Sequence, residues 1–299
     1  MKRNILLLFT FFACITVQGQ TPVRLVDLRS EHLDRPIGLD NPVPRLSWRM
    51  EDGRQGAVQT SWRIVVDEDS LNVVNGCGRM WDSGKNDSRN QLVAYAGKKL
   101  QPFTRYYWKV ICSDMEYKET ASPVSYFETG MMGMQHWQGA WIGDGKDIHY
   151  GPAPYFRKEF KTGKKVKSAR AYIAAAGLYE LYINGEKIGD HCLAPLYTRF
   201  DRRNLYVAYD VTSQLQNGDN AIGVLLGNGW YNHQSKAVWD FDRAPWRNRP
   251  AFCLDLRITY TDGSVETIPT DLSWRTASGA ITFNSIYTCL LYTSPSPRD

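Results

Sequence analysis

The sequence holds no long stretch with the 3.6-residue apolar period of an amphipathic helix, which argues against a helical bundle or a barrel of helices in this chain. It has no Gly-x-Ser-x-Gly elbow, and its five histidines (His32, His136, His149, His191 and His233) stand apart, so the pattern of a nucleophilic hydrolase is missing. Runs of one charge are absent too. The 36 basic and 31 acidic residues are scattered, and the net charge of +5 leaves no nucleic-acid footprint. Of six cysteines, Cys14 lies in the leader described below and Cys289 in a distinct tail. The remaining four, Cys77, Cys112, Cys192 and Cys253, are too widely spaced for a zinc pattern. They read as buried free thiols, with a Cys192–Cys253 bridge as the alternative in an oxidising compartment. His191 beside Cys192 makes no metal pair, because adjacent strand residues point to opposite faces.

What is present begins with a leader. Lys2 and Arg3 precede a mostly apolar run from Ile5 to Val17, too short to span a bilayer, and small Gly19 suits cleavage. Residues 1–19 are therefore expected to be a signal peptide, with lipid attachment at Cys14 as the weaker alternative. Beyond them, β-branched and aromatic residues alternate with polar ones between Gly, Asn, Asp and Pro clusters. Ser61–Asp67, Arg105–Ser113 and Val124–Glu128 are expected strands of an immunoglobulin-like or fibronectin-like sandwich over residues 22–130. The Met- and Gly-rich residues 131–139 read as a linker.

A second all-β block, residues 140–288, has the pattern of a jelly roll. Ala169–Ala176 is an apolar strand with Tyr179–Ile183 as its expected partner, and Asn184-Gly185 is a tight-turn signal. Leu205–Tyr209, Asn220–Leu226, Ala251–Tyr260 and Ser264–Pro269 continue it, the last two joined at Thr261-Asp262-Gly263. Residues 289–299 (CLLYTSPSPRD) show no strand period, and their two Ser-Pro pairs break any continuation. This peptide is similar to the translation of an adapter used in DNA sequencing libraries. The biological sequence is accordingly expected to stop at Thr288, leaving the jelly roll incomplete.

Several separated motifs resemble the N-terminal region of bacterial α-L-rhamnosidases of the glycoside hydrolase family 78 type. In the first block they are Gly38-Leu39-Asp40, Pro44-Arg45-Leu46-Ser47-Trp48, Trp81-Asp82-Ser83-Gly84, Tyr107-Trp108 and Phe127-Glu128-Thr129-Gly130. In the second they include Ala175-Ala176-Gly177-Leu178-Tyr179-Glu180, Tyr209-Asp210-Val211-Thr212, Gly227-Asn228-Gly229-Trp230-Tyr231 and Ile281-Thr282-Phe283. Their order carries the resemblance. It implies an immunoglobulin-like sandwich followed by a galactose-binding-like jelly roll. It also implies a parent enzyme in which a further β-sandwich, an (α/α)₆ barrel and a C-terminal β-domain follow.

Such a parent would hydrolyse terminal α-L-rhamnosyl linkages of plant or microbial glycans with inversion. That reaction needs two carboxyl groups about 6.5 to 9.5 Å apart, and the resemblance places them on the barrel, outside this chain. No catalytic residue is assigned among Glu180, Glu186, Asp190, Asp201, Asp210, Asp240 and Asp242; Asp210 reads as a turn residue before Thr212. The expected partners are a rhamnose-containing glycan and the catalytic domain of the same polypeptide, with no nucleic acid and no membrane span. The expected location is secreted, periplasmic or on the outer surface of a Gram-negative bacterium.

The long connection from Gly227 to Arg249 supplies the residue types that hold sugars, aromatic faces for C–H surfaces and amides or carboxylates for hydroxyls. Its candidate carbohydrate-binding residues are Asn228, Trp230, Tyr231, Trp239, Asp240, Asp242 and Trp246, with Asn232 and Asn248 beside them. No metal site is assigned. Some resembling proteins have a calcium-dependent rhamnose-binding module, but Arg199 stands where an Asp is common there. Two other readings remain, a lectin-like surface module without catalysis and the N-terminal sandwich of a β-galactosidase-like hydrolase.

Overall fold

The structure, a computed structural model, describes residues 22–234, 239–286 and 289–293. The expected leader, including Cys14, and residues 294–299 of the tail lie outside the described residues. No described helix is long and apolar enough to cross a membrane. The chain divides into two compact units.

The first unit comprises the described residues through Arg35, Val43–Lys98 and Tyr106–Tyr126. Its strands are β1 (Arg24–Ser30), β2 (Arg45–Glu51), β3 (Ser61–Asp67), β4 (Trp81–Asp82), β5 (Leu92–Ala94), β6 (Arg105–Ser113), β7 (Glu119–Ala121) and β8 (Ser125–Glu128). One sheet has the order β1-β2-β5, the other β4-β3-β6-β7 with β8 also on β6. Period-two alternation sets the faces of β6: Tyr106, Trp108, Val110 and Cys112 are buried while Tyr107 and Ile111 are half-buried. Across the two sheets Trp48 packs edge-on against Trp62 at 6.1 Å, and its indole N–H donates to Gln59 Oε1 at 2.8 Å. Each such fully buried aromatic contributes about 1.5–3 kcal/mol. The Trp-Asp-Ser-Gly stretch is structural. Trp81 packs on Tyr95, Asp82 pairs with Arg63 at 2.5 Å, and Ser83 Oγ accepts from the Ile64 N–H. The one α-helix among the described residues, α1 (Ser70–Val74), is a single turn capped by Asp69.

The second unit comprises Pro36–Pro42, Lys99–Arg105 and the described residues from Phe127 onward. Residues 131–139, read from sequence as a linker, thus count with it. Its strands are β9 (Ile142–Gly143), β10 (Pro154–Thr162), β11 (Val166–Ala176), β12 (Leu178–Ile183), β13 (Glu186–Lys187), β14 (Tyr206–Asp210), β15 (Gly218–Gly227), β16 (Ala251–Tyr260), β17 (Val265–Pro269), β18 (Arg275–Ser278), β19 (Ile281–Ser285) and β20 (Cys289–Thr293). One five-stranded sheet runs β13-β12-β15-β10-β18, the other β14-β11-β16-β17 with β9 on β16. Phe156, Ile173, Leu181, Val224, Phe252, Leu254 and their neighbours fill the space between them.

Three sequence expectations are corrected here. First, β11 does not pair with β12. The ladders of β11 are to β14 and β16, whereas β12 pairs with β15 and β13 in the other sheet. The chain changes sheets at Gly177, whose φ of 120° lies outside ordinary L-residue space and whose added Cβ would sit 2.5 Å from the Gly227 carbonyl oxygen. The Asn184-Gly185 turn, with φ of 52° and 87°, instead joins β12 to β13 as a tight hairpin. Second, Cys289–Thr293 form a strand, β20, antiparallel to β19. Third, all four described core-chain cysteines are free, so Cys192 and Cys253 form no bridge. Cys112 and Cys253 are buried as expected, but Cys77 and Cys192 are exposed.

The outer face of β11 and β16 is also buried. Arg170, Tyr172, Cys253 and Asp255 all lie on it with little exposure. Phe103 covers Tyr172 at 5.6 Å, the Gln138 and Gly139 N–H groups donate to Asp255 at 2.8 Å, and Arg170 makes a two-pronged ion pair with Glu128 at 2.7 and 3.1 Å.

Candidate carbohydrate-contacting loop

The connection after β15 is fastened at both ends by polar groups. At its start Asn228 is buried: its N–H donates to Asn284 Oδ1 at 2.6 Å and its side-chain amide to the Asn284 carbonyl at 3.1 Å. Asn232, also buried, donates to the Ile148 carbonyl and to Asn228 Oδ1, and accepts from Arg247 Nε at 3.1 Å. At its end Arg249 is buried in an ion pair with Asp144 at 2.7 Å and donates to the Tyr150 and Pro152 carbonyls. The charge needs all of these partners, because an unpaired buried guanidinium costs several kcal/mol.

Between these anchors the aromatic side chains gather. Trp230 is central, with ring centroids of His233, Phe241 and Trp239 at 5.6, 5.5 and 5.9 Å. Phe241 reaches on to Trp246 at 6.2 Å and Tyr197 at 5.8 Å, and Phe200 joins Tyr197 to Tyr231 at 5.1 Å from the latter. Trp239 is 60% exposed and Tyr197 47%, whereas Trp230, Phe241 and Trp246 are half-buried. The cluster thus has an open aromatic surface on a packed base.

Its polar members are unevenly placed. Asp240, in a left-handed conformation at φ 52°, is exposed. Asp242 Oδ1, Trp246 Nε1 and Arg247 Nη2 are buried and have no hydrogen-bond partner. Such groups cost about 1–3 kcal/mol each unless something bonds them. His233 is buried as well, and desolvation holds its imidazole below the usual range; the Asp242 carboxylate opposes this and the Arg247 guanidinium adds to it.

Of the seven candidates, Trp230, Trp239 and Trp246 come together, Tyr231 joins through Phe200, and Asp240 and Asp242 flank the central Phe241. Asn228 stands apart as a buried tether. Sequence reasoning passed over Tyr197, Phe200, Phe241, His233 and Arg247 as site residues. Their signal was weak: Tyr197 and Phe200 arrive from another segment, and Phe241 was visible only as the residue between two carboxylates. Near Tyr197–Phe200, where a calcium-assisted site was considered, Arg199 donates to the Asp201 carboxylate at 2.9 and 3.1 Å. No group of three potential metal-ligating side chains occurs among the described residues.

Two of the family-like motifs of the first block, Gly38-Leu39-Asp40 and Phe127-Glu128-Thr129-Gly130, have a structural explanation in the second unit. Asp40 Oδ1 accepts from the Tyr206 hydroxyl and the Met132 N–H, each at 2.7 Å, and Gly130 lies so close to Tyr206 that an added Cβ would meet its hydroxyl at 1.9 Å. Asp210, considered as a carboxylate, accepts from Thr212 and pairs with Arg170 at 2.8 Å.

Both units are β-sandwiches, and each matches a family of N-terminal domains. Residues 25–133 match the family described as Rha78A-like, N-terminal immunoglobulin domain, and residues 164–293 the family described as Alpha-L-rhamnosidase N-terminal domain. An Alpha-L-rhamnosidase of Formosa agariphila is 32% identical over 312 residues, spanning 95% of this chain and 33% of that protein. One of Alteromonas sp. is 30% identical over 266 residues, spanning 84% and 28%. The solved α-L-rhamnosidase from Dictyoglumus thermophilum superposes with a TM-score of 0.82 at 37% identity, over 89% of this chain and 31% of that one. The chain belongs to the α-L-rhamnosidase family, matching its N-terminal region. It spans about a third of the length of the curated relatives it matches.

Proposed function

We propose that this chain is the accessory front of an exported α-L-rhamnosidase, inactive by itself, and that the open aromatic surface of residues 227–249 contacts a rhamnose-containing glycan. The observation that carries the first part is the match of both sandwiches, in order, to the front third of the relatives. The remaining two thirds of such a protein would supply the acid and base for inverting hydrolysis of terminal α-L-rhamnosyl linkages. The leader-like residues 1–19 support export. For the second part the support is the exposed aromatic faces of Trp239 and Tyr197, both against Phe241, with the exposed carboxylate of Asp240 next in the chain as a hydroxyl-binding group.

Two measurements test this. An aryl α-L-rhamnoside incubated with the chain is expected to release no phenol; hydrolysis abolished by Asp240→Asn or Asp242→Asn would return catalysis to this region. Titration with L-rhamnose, followed by tryptophan fluorescence, is expected to saturate for the parent chain and to weaken at least tenfold in Trp239→Ala. An unchanged titration curve in that variant would remove the loop from sugar binding.

A further inference from the structure

The sheet β13-β12-β15-β10-β18 turns one face to the core and the other outward. On its middle strand the outward positions are Asp219, Ala221, Gly223 and Leu225, so the centre of this face is lined by small side chains. Their neighbours across the ladders are tall. Gly223 stands between Arg157 on β10 and Tyr182 on β12, and Leu225 between Tyr155 and Glu180. Small residues flanked by large ones make a trough. It encloses about 700 Å³ beside Tyr155 and Tyr182, and a neighbouring hollow of about 500 Å³, sharing Arg157 and Ala221, extends it toward Asp219. From Asp219 to Leu225 the floor runs roughly 20 Å at the rise of a β-strand.

Both tyrosines are held in place. The Tyr155 ring lies over Gly279, where an added Cβ would fall 2.3 Å from it, and the Tyr182 hydroxyl donates to Glu180 at 2.7 Å. The charges along the trough are already matched: Arg157 with Glu159 at 2.8 Å, Lys161 with Asp219 at 3.0 Å, and Glu180 with Lys187 at 2.5 Å. The residues lining the trough therefore carry no net charge, and a further cation on this face, the exposed Arg275, lies outside Arg157 across the β10–β18 ladder. A neutral polyhydroxylated chain meets aromatic faces for its C–H surfaces, and paired ions that retain donors and acceptors for its hydroxyls. The volume is that of a cleft for small molecules or short chains, typically about 300–1,000 Å³.

We propose that this trough binds a neutral polysaccharide chain laid along β15. It shares no residue with the 227–249 loop and stands or falls separately from it. Gly223 offers a clean test, because a Cβ there would meet only Tyr182 Cβ at 3.7 Å and the Phe156 carbonyl at 3.9 Å, so Gly223→Leu fills the trough without straining the sheet. The whole chain is run in native gels containing a neutral galactan, a neutral rhamnan or polygalacturonate. The expected result is retardation by a neutral polysaccharide, weakened at least fivefold in Gly223→Leu and in Tyr182→Ala and retained in Trp239→Ala. Should Gly223→Leu fail to fold, Tyr155→Ala gives the same readout from an exposed side chain.

Four results overturn the proposal. One is the absence of retardation in either neutral gel. Another is retardation that survives both trough variants but is lost in Trp239→Ala, which assigns binding to the loop. A third is retardation confined to polygalacturonate and removed by salt, which assigns an anionic ligand. The last is a concentration-dependent dimer in sedimentation, abolished by Gly223→Leu without any glycan effect, which assigns the face to a second copy.

Discussion

At the scale of single residues, the second unit rests on charges removed from water with their partners. Glu128 bonds Arg170 through both oxygens and also pairs with Arg105 at 3.0 Å. Changing it to Gln keeps the shape and deletes the charge, leaving Arg170 with the exposed Asp210 as its ionic partner. The expected loss is about 3 kcal/mol in denaturant unfolding; a midpoint within error of the parent would show that the pair is dispensable. His233 makes a prediction of pH dependence. Its folded-state pKa is depressed by burial, so in acid the unfolded chain takes up a proton that the folded loop refuses. Its contribution is therefore complete above about pH 6.5 and declines as pH falls below it. His233→Gln is expected to flatten the melting temperature between about pH 6.5 and 5, and an unaltered slope would mean that other groups set it.

At the scale of elements, connections decide more than strands do. Most strands were legible because alternation and turn residues are local: Ser61–Asp67, Arg105–Ser113 and Ala251–Tyr260 are read from sequence with their structural limits. The pairing of β11 was not legible. Two apolar strands separated by one glycine look like a hairpin, but a single residue cannot reverse the chain within one sheet, and Gly177 instead carries it across to the other. Replacing Gly177 by Ala combines an unfavourable φ with a collision against the Gly227 carbonyl, and should cost about 2 kcal/mol or more. Gly185→Ala, also at positive φ but with open space around it, should cost only about 1 kcal/mol. Equal losses in thermal unfolding would refute the steric part of this account. The strand β20 escaped notice for a different reason, since its sequence carries no period and only the pairing with β19 defines it.

At the scale of the whole molecule, the sequence boundary near residue 130 and the compact units divide the chain differently. Residues 36–42, 99–105 and 127–133 count with the second unit: Phe103 and Glu128 cover the outer face of β11, and Gly38 and Asp40 meet Tyr206 and Ala208 of β14. A chain of residues 134–293 alone would expose Tyr172 and leave Arg170 without Glu128, so it is expected to aggregate or to melt well below the full chain. A soluble chain with the parent's melting temperature would contradict this. The sequence by itself determined the all-β class, the order of the two sandwiches and the family, because alternation, turns and ordered motifs are one-dimensional signals. It also marked residues 227–249 as rich in aromatic and polar side chains. Only the tertiary structure decided which of those are tethers and which are surface, separating buried Asn228 from exposed Trp239 and bringing in Tyr197. It alone set Arg157 and Tyr182 on either side of Gly223, because burial and proximity across strands depend on which distant segments fold together.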